Sequence, residues 1–294
     1  MKLSILDQTR VYAGSNAAET LQACIELAKW AERWGYHRFW VTEHHNSSHF
    51  ASASPEVLMA RLAAETTRIR IGAGGVLLPY HATLKVAENF SMLEALYPGR
   101  IDLGIGRGGN ESLPVRQLLN PHHTFDLDVY KKRILELSGF LANVDTCYNG
   151  EQVKVVPAVG TLPESWLLSS GTGTAMIAAG LGMPLCYAHF INPNGRETVQ
   201  AYHDQFKGNN KPAVMVAVFV VCAREKSTVE RLLNELVLAQ QNPDKAVSGT
   251  PREVGEKLSG LARMYDAAEL MLLVHTGNHR DKWETYQLVA EACL

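Results

Sequence analysis

The chain lacks several features that would have settled its class at once. No apolar run approaches the roughly 20 residues of a membrane-spanning helix. The opening Met1-Lys2-Leu3-Ser4-Ile5-Leu6-Asp7 enters a strand pattern without the hydrophobic stretch of a secretory leader. No block of Lys and Arg stands out: 28 basic residues face 30 acidic ones, a formal charge of −2, so nucleic acid, whose phosphates need clustered cations, is not expected as a partner. The five cysteines, Cys24, Cys147, Cys186, Cys222 and Cys293, show no C-x-x-C spacing and are odd in number, which points to reduced thiols. Cys186 and Cys222 lie in apolar runs and read as inert buried thiols. Also missing are an H-E-x-x-H pair, a His/Cys box, the lysine of a Walker loop, and a G-x-G-x-x-G at a strand-to-helix turn. These absences predict a soluble, cytoplasmic protein with no membrane or nucleic-acid partner and no metal.

What is present begins with an ordinary globular composition, 294 residues of which 46% are hydrophobic and 20% charged, a length that barrels reach as one domain. The chain is organised around Phe39-Trp40-Val41-Thr42-Glu43-His44-His45-Asn46, an aromatic and β-branched run that ends in four polar groups. Phe39, Trp40 and Val41 favour a pleated, half-buried surface, whereas Glu, two His and Asn in succession would be costly inside a sheet without partners. The segment therefore reads as a buried strand with an open, polar tip. That tip is either a catalytic cluster, with His44, Glu43 and His45 as candidates, or a solvated turn.

Periodicity gives the rest. Strands are expected at 3–7, 39–42, 69–78, 101–105, 166–168, 185–190, 214–222 and 270–274, several of them continuously apolar, as strands covered on both faces are. Helices are expected at 17–34, from Ser54-Pro55-Glu56 onward, and at 84–96, 127–141, 172–179, 196–206, 228–239, 251–264 and 282–293. Asn149-Gly150 between two short strand-like runs predicts a hairpin excursion near 146–157. Eight strands alternating with helices imply parallel pairing. A single-domain (β/α)₈ barrel over 1–294 is the simplest closure, with a doubly wound open sheet as the alternative. In a barrel the carboxyl ends of the strands share one face, which would bring Glu43-His44-His45, Gly74-Gly75, Gly106-Arg107, Ser169-Ser170-Gly171, His189 and His275 around one mouth.

Two stretches there carry chemistry. Ser169-Ser170-Gly171-Thr172-Gly173-Thr174 leads a strand into a helix, and free amides at a helix start beside Ser and Thr hydroxyls make an anion site; plain N-capping by Ser170 or Thr172 is the other reading. Gly72, Gly74 and Gly75 interrupt a strand, marking either a bulge or a place where a ligand lies against backbone. Arg107, after Gly106, can stand beside an anion or serve as a surface ion-pair partner. The pairs His44-His45 and His122-His123 are poor chelators, because neighbours on a strand point to opposite faces.

In order, Trp40-Val41-Thr42-Glu43-His44-His45-Asn46, Ser54-Pro55-Glu56-Val57-Leu58, Arg68-Ile69-Arg70-Ile71-Gly72-Ala73-Gly74-Gly75-Val76-Leu77-Leu78-Pro79, Leu84-Lys85-Val86-Ala87-Glu88 and Pro98-Gly99-Arg100-Ile101-Asp102-Leu103-Gly104-Ile105-Gly106-Arg107-Gly108 resemble the bacterial luciferase-like flavin monooxygenases. Ser169-Ser170-Gly171 and Met183-Pro184-Leu185 continue the match across nearly the whole barrel. The resemblance implies a barrel that binds reduced FMN delivered by a separate flavin reductase, reacts it with oxygen, and oxygenates a small organic substrate through a flavin peroxide. It further implies a homodimer through the helices at 55–65 and 84–96. His44 falls at the family's active-site histidine, and Gly74-Gly75 at its non-proline cis peptide. Arg107, Ser169, Ser170, Gly171, Thr172 and Thr174 fall at the phosphate contacts, and His189 at a ring-bordering position. Two departures matter: Gly106 replaces the reactive cysteine of the luciferases proper, so light emission is not implied, and the stretch between Cys222 and Pro251 is short where relatives carry a lid. A deazaflavin-dependent hydride-transfer enzyme and a non-catalytic flavin-binding protein are the alternatives on the same scaffold.

Overall fold

The structure, a computed structural model, describes residues 1–109, 111–143, 146–238 and 241–294. In chain order the elements are β1 (Lys2–Asp7), α1 (Ala17–Trp34), β2 (Arg38–Val41), α2 (Pro55–Glu65), β3 (Arg70–Leu77), α3 (Thr83–Leu96), β4 (Ile101–Gly106), α4 (Leu113–Leu119), α5 (Leu127–Leu141), β5 (Thr146–Tyr148) and β6 (Glu151–Val153). Then come β7 (Glu164–Ser169), α6 (Thr172–Leu181), β8 (Leu185–Ala188), α7 (Arg196–Asp204), β9 (Val214–Cys222), α8 (Lys226–Leu238), β10 (Ala246–Gly249), α9 (Pro251–Tyr265), β11 (Glu269–Leu273) and α10 (His279–Cys293). The order β1-β2-β3-β4-β7-β8-β9-β11 closes back onto β1, all parallel, so the expected eight-stranded barrel is what forms. Among the described residues no helix is long and apolar enough to cross a membrane.

Local chemistry explains the element ends. The Asn16 side chain accepts the Glu19 amide to start α1, and Gly35, at φ 90°, stops it in a left-handed turn. Thr250 and Glu253 form a capping box on α9. Asn149 and Gly150 are both left-handed, as an Asn-Gly hairpin turn requires.

Alternation along the strands sorts the core into two layers. Phe39 and Val41 pack outward with the helices, while Trp40 points into the barrel with Leu6, Trp166, Met215, Phe219, Met271 and Leu273. Gly72 and Gly74 give the Trp40 indole its space; a Cβ on Gly74 would lie 2.7 Å from Leu6 and 2.9 Å from Trp40. Below this layer the barrel is closed by ions. The buried Arg38 guanidinium bonds Asp102 (2.9 Å), Glu164 (3.0 Å) and Glu269 (3.1 Å). Arg70 also holds Asp102, at 2.6 Å, and Trp40 Nε1 donates to the same carboxylate at 2.8 Å.

Four expectations need adjustment. α4 falls where a loop was expected, because Pro114 at a helix start permits a helix rather than breaking one. The second hairpin strand is Glu151–Val153, earlier than the apolar run at 153–156 suggested. β10, four residues without an apolar run, pairs with the upper half of β9 where β8 has already ended. The expected helix at 228–239 begins earlier, at Lys226, and Ala239 lies outside the described residues.

Candidate active site

The polar tip of β2 splits in two directions, as alternation dictates. Glu43 and His45 turn toward β3. The Glu43 carboxylate is buried and accepts from His45 Nε2 at 2.6 Å, His81 Nε2 at 2.7 Å and the Leu77 amide at 2.8 Å. Burial alone would raise its pKa, but the hydrogen bonds from His45 and His81 hold it below the usual carboxylate range. The same carboxylate raises His81 above its ordinary value against the opposing effect of burial. Glu43 thus ties the end of β2 to the end of β3 and to the turn that follows, a positioning role the sequence did not disclose because His81 lies 38 residues away. Donor atoms of Glu43, His45 and His81 lie within 4.8 Å of one another, close enough to hold a metal ion. The contacts to Glu43 at 2.6 and 2.7 Å are hydrogen-bond lengths, shorter than the ligand–ligand spacing of about 3.3 Å that tetrahedral zinc imposes. In this geometry His45 and His81 both hydrogen-bond the Glu43 carboxylate.

His44 turns the other way, toward β1. Its ring stacks on Phe50, centroids 4.0 Å apart and 17° between planes, and its Nε2 is buried without a hydrogen-bond partner. Burial lowers its pKa, so the imidazole is neutral at neutral pH. Thr42 Oγ1 and His275 Nδ1 are likewise buried and unpartnered. Registers place Leu6 opposite Trp40 and Leu273 opposite Phe219, so Gln8, Thr42 and His275, two residues further along, form the next layer up, at the mouth. A hydrogen bond between Gln8 and His275 joins two of them.

On the opposite side, β4 and β7 are neighbours, and their ends carry Arg107 and the Ser169-Ser170 pair. Arg107 is exposed and has no hydrogen bond or ion pair among the described residues, so the surface ion-pair reading finds no acceptor. Ser169 uses its hydroxyl within the loop, donating to the Gly171 carbonyl at 2.6 Å and accepting the Gly171 amide at 3.2 Å. The N-cap of α6 is Gly171, with no side-chain cap, so neither Ser170 nor Thr172 does the capping that was the other reading of this loop. Thr172 meets Thr198 at 3.3 Å and Thr174 is buried. The Ser170 hydroxyl is uncommitted among the described residues, and only its carbonyl is bonded, by Asn192.

Gly74 and Gly75 are joined by a cis peptide at a register shift in β3, and a Cβ on Gly75 would lie 2.6 Å from the Gly104 carbonyl. His189 stands at the end of β8, but its Nδ1 is hydrogen-bonded to Tyr265 at 3.0 Å and its ring meets Tyr265 edge-on, tying it to α9. Between the two sides of the mouth stands Tyr80, whose hydroxyl donates to Glu111 and accepts the Gly109 amide at 3.1 Å.

The luciferase-like monooxygenase family profile matches residues 1–275. The uncharacterised protein YwcH of Bacillus subtilis is 38% identical, over 99% of this chain and 99% of its own. The N-acetyl-S-alkylcysteine monooxygenase of the same organism is 32% identical over 100% and 98%. The crystal structure of apo-MsnO8 superposes with a TM-score of 0.91 at 36% identity, covering 99% of this chain and 98% of that one. With the parallel barrel and the ring of polar groups at its mouth, these likenesses show that the chain belongs to the luciferase-like monooxygenases, a family of flavin-dependent oxygenases.

Proposed function

We propose that this chain is the oxygenase of a two-component system, taking reduced FMN from a separate reductase and using oxygen to oxygenate a small organic substrate. The observation that carries the reading is the anion site at the ends of β4 and β7: a helix start without a side-chain cap, and, just past these adjacent strands, a Ser170 hydroxyl and an Arg107 that are unpaired among the described residues. A phosphate fits this donor set, which offers amides, a hydroxyl and a guanidinium and, among the described residues, no competing carboxylate contact. We place the flat ring system at the ends of the neighbouring strands β3 and β4, near the Gly74-Gly75 cis peptide and Gly106. Reduced FMN bound there would supply the two electrons that activate oxygen.

The residues around it then divide the work. The neutral His44 presents an unpartnered Nε2 that can accept or return a proton, and Phe50 fixes the plane of its ring. Glu43, held by His45, His81 and the Leu77 amide, fixes the strand ends on which the glycines sit. Gly104 and Gly106, inside β4, and Gly109 beyond it have G-x-G-x-x-G spacing, yet α4 begins four residues later at Leu113. The dinucleotide turn is therefore incomplete, and a separate reductase is the simpler source of electrons. The unit we propose is a homodimer through α2 and α3.

The test is equilibrium titration under anaerobic conditions with reduced FMN and reduced riboflavin. Ser170→Ala should weaken FMN roughly ten- to a hundredfold, the worth of one charge-assisted hydrogen bond, and leave riboflavin nearly unchanged. An equal change for the two flavins would remove the phosphate assignment.

A further inference from the structure

Flavin chemistry leaves the substrate unnamed, but the side of the mouth facing away from the anion site carries its own signature. There the loop after β1 and the loop after β2 are zipped together: the Val11 amide donates to the His49 carbonyl and the Ala51 amide to the Thr9 carbonyl, both at 2.9 Å. Arg10 and Phe50 are the paired residues of this antiparallel bridge. Directly opposed residues in such a pair project to the same face, so Arg10 shares the face of the ring that stacks on His44.

Arg10 is half-buried and, among the described residues, makes no hydrogen bond or ion pair. The carboxylates near the mouth are committed elsewhere: Glu43 to His45 and His81, Asp7 to Lys282 at 2.6 Å, Glu111 to Tyr80. A guanidinium partly withdrawn from water and paired with no carboxylate among the described residues calls for an anion from outside.

His275, only 6% exposed, lies on the same side of the mouth, with Nδ1 unpartnered and the Phe219 ring 4.9 Å away. Burial lowers its pKa to about 3, and the charge of Arg10 is the next largest cause. Arg10 therefore acts electrostatically on the interior of the mouth, and His275 contributes no positive charge of its own at neutral pH.

We propose that the space bounded by Arg10, Phe50, His44, His275 and Phe219 is the substrate subsite, and that Arg10 anchors a carboxylate there: the substrate is an organic acid with an apolar, ring-sized body. Phe50 and Phe219 supply apolar side chains beside that body, and the Thr42 hydroxyl and His275 Nδ1 are buried polar atoms without a partner among the described residues. The inference rests on the flavin reading for the assignment of the other side of the mouth to the cofactor. Arg107 and Arg10, both unpaired among the described residues, then serve two different anions.

The probes are 2-naphthoate and 2-naphthamide, which share a ring system and differ in charge. Binding is followed calorimetrically at low ionic strength, with and without FMN, and FMN affinity is measured in parallel. The parent protein should bind naphthoate at least roughly tenfold more tightly than the amide, the lower worth of a charge-assisted pair. Arg10→Met should abolish that preference while leaving FMN affinity and the melting temperature unchanged, and Arg10→Lys should retain part of it. Equal binding of the two probes by the parent, or a preference that survives Arg10→Met, would overturn the proposal. So would a parallel loss of FMN affinity, which would assign Arg10 to the cofactor. A parent that prefers naphthoate but fails to bind FMN would sink the cofactor assignment and leave the acid site standing.

Discussion

At the residue scale the account turns on protonation. His44 is buried and its pKa is lowered, whereas His81 sits against Glu43 and its pKa is raised. A raised histidine keeps its proton as pH climbs through 6.5, and a lowered one has already lost it there. Nitrogen-15 NMR of the imidazoles at pH 6.5 should therefore show His81 mostly protonated and His44 mostly neutral. The reverse order would contradict the electrostatics of the site. The linkage to stability follows in sign. The Glu43 contribution is present above about pH 4.5 and lost as pH falls through its depressed pKa, and the His81 contribution is present below about pH 6.5 and lost as pH rises through its elevated one. Replacing His44 by Ala should leave reduced-FMN affinity within about twofold and slow the proton-dependent step by roughly 10² to 10⁴. Unchanged stopped-flow traces would make His44 structural.

At the scale of elements the floor of the barrel is the feature to test. Arg38 is 4% exposed and bonds three carboxylates from β4, β7 and β11. Burial alone would raise Glu164, but Arg38 holds its pKa down. Arg38→Met would leave the buried Glu269 without its arginine, with Arg70 remaining beside Asp102 and Glu164, and should cost about 3 to 5 kcal/mol in denaturant unfolding. A loss under 1 kcal/mol would mean that Arg70 alone can hold Asp102. The elements themselves were largely readable. The 3.6-residue apolar spacing at Leu21, Cys24, Ile25, Ala28 and Ala31 fixed α1, and Val214–Cys222 is one uninterrupted buried strand. What escaped reading depends on distant partners. Arg38, Asp102, Glu164 and Glu269 look like surface charges one at a time and become a plug only when the barrel closes. His81 joins Glu43 by the same kind of long-range closure. Gly72 and Gly74 read as bulge or ligand contact, and the Trp40 indole, three residues before Glu43 at the polar tip of β2, supplies a further reason for them.

For the whole molecule, the face formed by α2 and α3 carries the next expectation. Of the small residues on these helices, Ala87 packs into the core and Ala60 lies partly against it, leaving Ala64 and Ala95 on the outside. The stronger signal is Val57, Met92 and Leu96, large apolar side chains that stand out from these two helices into solvent. Such a patch calls for cover. Sedimentation at micromolar concentration should find a dimer, and Val57→Glu together with Met92→Glu should yield a folded monomer. A parent that is monomeric at that concentration would remove the claim.

The proposal that unites these scales is that the barrel brings reduced FMN and oxygen together. A deazaflavin carrier or a passive flavin-binding protein could use the same anion site, so affinity alone does not discriminate among them; reaction with oxygen does. The decisive measurement is stopped-flow mixing of the protein saturated with reduced FMN against buffers of graded oxygen content, followed by absorbance. The account predicts a first phase whose rate rises linearly with oxygen, followed by a protein-dependent phase that is absent from free reduced FMN and slowed in His44→Ala. A time course indistinguishable from that of free reduced FMN would contradict it.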